Sequence, residues 1–189
     1  MATLDFADAF RYPFRCWQGL LNILWILVPI YGWFLLIGYR VRIVGEFLQG
    51  KYTKLPRIAH GDDFVLGWKM FWKAVPAVLV LMAAAFLFGA FEGRRGGGPL
   101  VFLFVILALL VVPILAMNFM RKRTVASCFE FDLVRVVVKN FLDYVIAMLK
   151  DLALGLIFMV MILILVGIPA SVFTKGMFTA EFYRGHVKK

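Results

Sequence analysis

Asp143, Lys150 and Asp151 fall at i, i+7 and i+8, so a helix through them carries two carboxylates and an ammonium on one face. Submerged in lipid, that trio would be a polar relay for a proton or an ion. At headgroup depth it is a hydrated turn, and Lys139 with Asp143 is an ordinary i,i+4 pair. The hydrated reading is favoured, because the uncharged stretch begins only at Leu152. Asn22 and Asn118 border or interrupt apolar runs and suit interhelix hydrogen bonds. Packing outweighs conduction for them, since a path needs more lining polar groups than two.

Other combinations are weaker. His60 with Asp62 and Asp63 has the donor types of a metal site, but the further ligands and supporting shell are missing from the sequence nearby. A solvated loop is expected, with Asp62 or Asp63 capping the next helix. Gly96, Gly97 and Gly98 beside Arg94 and Arg95 offer backbone amides to a phosphate, but no Lys-Ser/Thr follows, so a turn is expected. No nucleophile–base pair or carboxylate pair stands out. The expectation is a non-enzymatic protein without metal or cofactor.

The elements that hold these residues are long and apolar. Of 189 residues, 63% are hydrophobic and 20 are Phe, against about 45–50% apolar for a soluble domain. Residues 74–91 and 100–117 are each uncharged for 18 residues, about the length of a membrane crossing. Trp68 and Trp72 at i,i+4, interleaved with Lys69 and Lys73, read as an interface anchor, as does Trp17. Residues 3–15 and 124–140 mix apolar and charged positions at helical spacing, as surface-lying amphipathic helices do. Two further uncharged stretches, 16–39 and 152–174, are interrupted at Pro29 and Pro169. No cleavable signal peptide is expected, and Cys16 and Cys128 are expected as free thiols.

Charge arbitrates the topology. If both interrupted stretches cross the membrane, Lys and Arg divide 13 to 8 between its sides; if both are hairpins, they divide 19 to 2. The positive-inside bias favours hairpins, with both termini cytoplasmic. The first leg of the first hairpin, about 18 Å at 1.5 Å per residue, is too short for a core of about 30 Å, so it would be re-entrant. Ala9-Phe10-Arg11-Tyr12 echoes Cys128-Phe129-Glu130-Phe131, and Glu46–Gly50 echoes Glu181–Gly185, which suggests a two-fold internal repeat. The fold expected is all-α: one polytopic membrane helical bundle over residues 1–189. It comprises a surface helix and broken hairpin (1–50), a central pair of spans (64–120), and a second surface helix and broken hairpin (124–189).

The stretches A-F-R-Y-P-F, V-P-I-Y-G-W-F-L-L-I-G-Y-R-V-R, L-P-R-I-A-H-G-D-D-F-V-L-G-W-K, C-F-E-F-D-L-V-R-V-V-V-K-N-F-L-D-Y and A-E-F-Y-R-G resemble, in order and spacing, the prokaryotic membrane family named domain-of-unknown-function 4013. The chain departs from it at K-Y-T-K, where the family carries an acidic loop. The resemblance implies a membrane fold and transfers no functional residue.

The net charge of +10 flanks apolar spans, which points to anionic lipid headgroups and away from nucleic acid. The expected function is a scaffold, complex subunit or bilayer-shaping component of the cell (inner) membrane. Copies of itself or other membrane subunits are the expected protein partners, with Ala83, Ala84, Ala85 and Gly89 thinning one helix face for close packing. A small oligomeric transporter or channel with broken helices is the alternative.

Overall fold

The computed structural model describes residues 4–93, 98–164 and 167–187. Arg94 and Arg95, and Val166 at the start of the Val166–Pro169 break, lie outside the described residues, at 94–97 and 165–166. The described residues form helices and turns and no strand. Among the described residues the chain is all-α, and two helices, His60–Gly89 and Val101–Lys122, are long and apolar enough to cross a membrane.

A short helix α1 (Phe6–Arg11) and a 3₁₀ turn (Tyr12–Arg15) lead to α2 (Trp17–Leu21). A second 3₁₀ segment (Asn22–Leu27) reaches a reversal, and α3 (Tyr31–Leu48) returns. Pro29 pre-sets the turn, and the Tyr31 N–H bonds the Pro29 carbonyl at 2.7 Å. Between them Ile30 adopts φ 64° and ψ −68°, a γ-turn that a β-branched residue enters only with strain. A Cβ on Gly32 would lie 1.7 Å from the Trp25 carbonyl oxygen, so the two legs close only around glycine.

The reversed pair does not run beside the apolar part of the next helix, α4 (His60–Gly93). Trp25 touches His60 with centroids 4.8 Å apart, and Tyr31 stacks on Phe64 at 5.0 Å. The tip is thus level with the polar start of α4. The crossing of α3 over α4 is closer than side chains allow. A Cβ on Gly38 would fall 1.8 Å from the Asp63 carbonyl oxygen, and one on Gly67 would fall 1.8 Å from that of Phe34. Two facing glycines let the backbones touch.

Helix α5 (Pro99–Lys122) runs back, and both long helices continue through an internal proline, Pro76 and Pro113. Arg123 ends α5 at φ 55°. A 3₁₀ turn (Val125–Phe129) and the short amphipathic α6 (Asp132–Lys139) follow, with Leu133 and Val137 buried. Helix α7 (Phe141–Val160) passes into 3₁₀ (Met161–Ile164). α8 (Gly167–Thr174) lies back against α7, a Cβ on Gly167 meeting the Phe158 oxygen at 2.0 Å. α9 (Met177–His186) then packs antiparallel on α7.

The core gathers Tyr12, Phe47, Ile114, Tyr144, Phe158 and Phe178, among others. The N-terminal segment is part of it and not a detached surface helix. Ala9 and Tyr12 are fully buried, Phe10 stacks on Phe158 at 5.6 Å, and Phe6 stacks on Phe178 at 5.9 Å. This packed base holds both terminal segments. From it α4 and α5 extend as a two-helix arm. Val78 to Phe88 on α4 and Phe102 to Val112 on α5 expose most of their large apolar side chains, with Phe88 stacked on Phe104. On α4, Ala83 and Ala85 are exposed, and a Cβ on Gly89 would meet nothing within 4 Å.

Candidate functional site

Three polar constellations line the base. The innermost centres on Asn118, which is fully buried. Its Nδ2 donates to the Ser127 carbonyl at 2.9 Å and to Glu130 Oε2 at 3.0 Å, and its Oδ1 accepts the Tyr183 hydroxyl at 2.6 Å. Lys122 pairs with Glu130, and the Arg121 guanidinium lies 5.5 Å from the Tyr183 ring centre. Hydrogen bonds from Lys122 and Asn118 hold the Glu130 carboxyl below the usual carboxylate range. The seam therefore ties α5 to α9 and to the turn after α5. Each polar group of the amide has a partner, which is what packing requires of a buried Asn.

The second lies between α7 and α9. Asp143, Lys150 and Asp151 separate here. Asp151 turns inward and accepts the Phe178 N–H at 3.0 Å, the Thr179 N–H at 2.9 Å and the Thr179 hydroxyl at 2.6 Å. It supplies from another helix the N-terminal cap that Gly176 cannot. Burial pushes its carboxyl upward against the pull of these donors. Asp143 is exposed and faces His186 at 3.7 Å; Lys150 lies 5.5 Å from the Phe178 ring centre. Both line a groove of about 270 Å³ with Glu181, Arg184 and His186. Opposite charges mix along it, so it favours no one ionic ligand.

The third faces the arm. Trp68 and Trp72 stack edge to face at 5.8 Å, are both exposed, and flank Lys69 and Lys73. Lys73 Nζ donates to the Arg123 carbonyl at 2.8 Å, joining the start of α4 to the end of α5. Trp17, at the start of α2, is also exposed, 57% of its surface being open.

The remaining sequence candidates are dispersed. Asn22 is half-buried beside the Tyr39 hydroxyl, which donates to the Pro56 carbonyl at 2.8 Å. Pro29 is exposed and Pro169 buried. His60, Asp62 and Asp63 do not converge. His60 lies on Trp25, and Asp63 is buried, accepting Arg42 at 2.7 Å and the Ala59 N–H at 2.8 Å. Asp63 is thus the capping residue of the pair. Sequence reasoning missed Arg42, Glu130 and Tyr183, whose partners are 8 to 65 positions away. It also missed Gly38 and Gly67, although a lone glycine within a helical pattern is a signal of close approach.

No curated protein and no solved structure matches this chain. The match to a family runs over residues 21–167, leaving A-F-R-Y-P-F and A-E-F-Y-R-G outside it. The protein belongs to the family described as Protein of unknown function (DUF4013).

Proposed function

We propose that this protein is a membrane-anchored scaffold that shapes or organises one leaflet of the cell membrane. The α4–α5 arm crosses the bilayer: residues 74–93 span about 30 Å at 1.5 Å per residue, the thickness of the hydrocarbon core. The base sits in the cytoplasmic headgroup layer. Lys69, Lys73, Arg121, Lys122 and Arg123 all lie at the junction of arm and base, which the positive-inside bias assigns to the cytoplasm. Both termini follow it there, since the Leu4 N–H bonds Glu181 Oε1 at 2.6 Å.

One observation carries the shaping role. At the tip of the first reversal, Leu24, Ile26, Leu27, Ile30 and Trp33 are all at least half exposed, and the tip lies level with the polar start of α4. Apolar side chains at that depth wedge between headgroups and expand the leaflet. The second reversal, with Met159, Val160 and Ile162 exposed, is the equivalent wedge on a two-fold repeat. This is a shallower insertion than a re-entrant loop reaching the bilayer centre. The bare, small-residue side of α4 is the surface for a second copy or another membrane subunit.

Reconstitution tests the reading. Vesicles bearing the wild-type chain should tubulate or shrink under electron microscopy, and Leu27→Ser with Ile30→Ser should abolish the effect while leaving insertion intact. Unaltered vesicles with the wild type, or ion and solute flux through them, would replace the scaffold by the transporter reading.

A further inference from the structure

We infer that the cleft where α4 meets the end of α5 binds the phosphate of an anionic phospholipid through Lys69, Lys73 and Arg123. The cleft is about 440 Å³, with Leu66 and Met70 along one side. Three successive cations end α5, and two of them are already engaged: Arg121 over Tyr183, and Lys122 with Glu130. The left-handed backbone at Arg123 breaks the helical course and turns the third into the cleft. There its carbonyl orients Lys73, whose ammonium keeps two further donors. Among the described residues neither Lys69 nor the Arg123 guanidinium has a carboxylate partner.

The ligand class follows from charge and depth. Asp62 also lines the cleft, so three cations face one carboxylate. That net charge of +2 attracts a phosphodiester monoanion and a phosphate dianion alike, so charge selects the anion and depth selects the lipid. Residue 74 begins the uncharged run, one position past Lys73. A phosphate held here lies at the headgroup boundary, and its acyl chains run along Pro76 and Val80, exposed at i+3 and i+7 from Lys73 on the same face of α4. Free phosphate offers the same oxygens but covers none of that apolar flank. Trp68 and Trp72 flank the cleft as interfacial rings. The inference deepens the proposed function and rests on its reading of α4 and α5 as spans.

The test uses the full chain in mild detergent, with thermal unfolding followed as phosphatidylglycerol, phosphatidylcholine or inorganic phosphate is added. Phosphatidylglycerol should bind more tightly than phosphatidylcholine. Lys69→Gln or Arg123→Gln should weaken it about fivefold each, and the pair on the order of tenfold or more. Lys139→Gln, the same charge change on exposed α6, should stay within about twofold. An equal loss from Lys139→Gln, or none from the pair, overturns the cleft. Inorganic phosphate that displaces the lipid or stabilises equally overturns the lipid as the source. Alkaline extraction of native membranes separates the two levels. A chain released to the supernatant refutes the spans themselves, whereas a retained chain with no phosphatidylglycerol preference refutes only the cleft.

Discussion

Helix α4 is continuous and has two surroundings. Over its first third, Asp63, Gly67 and Met70 are buried under α3 and the end of α5. Beyond Lys73 the same helix is bare, and Val78, Leu79, Met82, Phe86 and Leu87 are each at least half exposed. Helix α5 repeats the division: Ile114 to Phe119 pack into the base, and Phe102 to Leu109 project from it. Both halves are apolar, so hydrophobicity does not separate them. In the base, apolar faces are joined by touching glycines, capped helix ends and a saturated Asn, the devices of a core that excludes water by its own packing. In the arm those devices are missing among the described residues, and its large apolar side chains stay exposed.

Substitutions that break one half and spare the other test this division. The largest effect is expected from Gly38→Leu or Gly67→Leu, because each new Cβ meets backbone that cannot move aside. Loss of several kcal/mol is expected, read as loss of a monodisperse species in detergent. Gly89→Leu, with nothing within 4 Å of its Cβ, should keep the protein folded and monodisperse, shifting the elution volume only where α4 seats a second copy.

Next come the polar ties of the base. Asn118→Leu strands the Tyr183 hydroxyl and the Ser127 carbonyl, and Asp151→Ala strands two amides at the start of α9. Each should cost about 2–3 kcal/mol, seen as a lower Tm in detergent. Phe102→Leu on the arm should shift Tm little. A smaller change of the opposite sign is expected at the turn: Ile30→Gly relieves the positive-φ strain and should raise stability by about 1 kcal/mol, while weakening any wedge that Ile30 forms.

The smallest effect is electrostatic. The folded Glu130 carboxyl titrates below its unfolded value, so its contribution is present above the unfolded pKa of about 4.3 and is lost as pH falls through the lower folded value. Thermal stability should decline as pH drops below about 4, and Glu130→Gln should flatten that decline. A decline of unchanged size in Glu130→Gln would show that the seam does not depend on this charge.

Much of the architecture was legible in the sequence. Uncharged runs of 18 residues declare α4 and α5, and Pro29 marks the reversal, because length, charge and proline act locally. The site was less so. Asn118 was identified as a packing amide, and its partners Glu130 and Tyr183 lie in stretches that look like ordinary amphipathic sequence. Asp143, Lys150 and Asp151 share a face by periodicity, yet 3.6-residue spacing cannot say that α9 approaches at Asp151 and leaves Asp143 at the rim.

The amino-acid sequence by itself determined the helical class, the two long apolar helices and the reversal at Pro29, since these follow from side-chain apolarity over a run and from backbone restrictions at single positions. Only the tertiary structure decided that the first reversal lies across the polar start of α4, that the terminal segments join one base, and that Arg123 turns toward Lys69 and Lys73. Those outcomes depend on which surfaces meet across separations that reach 50 residues for Lys73 and Arg123 and 177 for Leu4 and Glu181. Where every face is greasy, glycine contacts and a few hydrogen bonds choose among packings that hydrophobicity leaves equivalent.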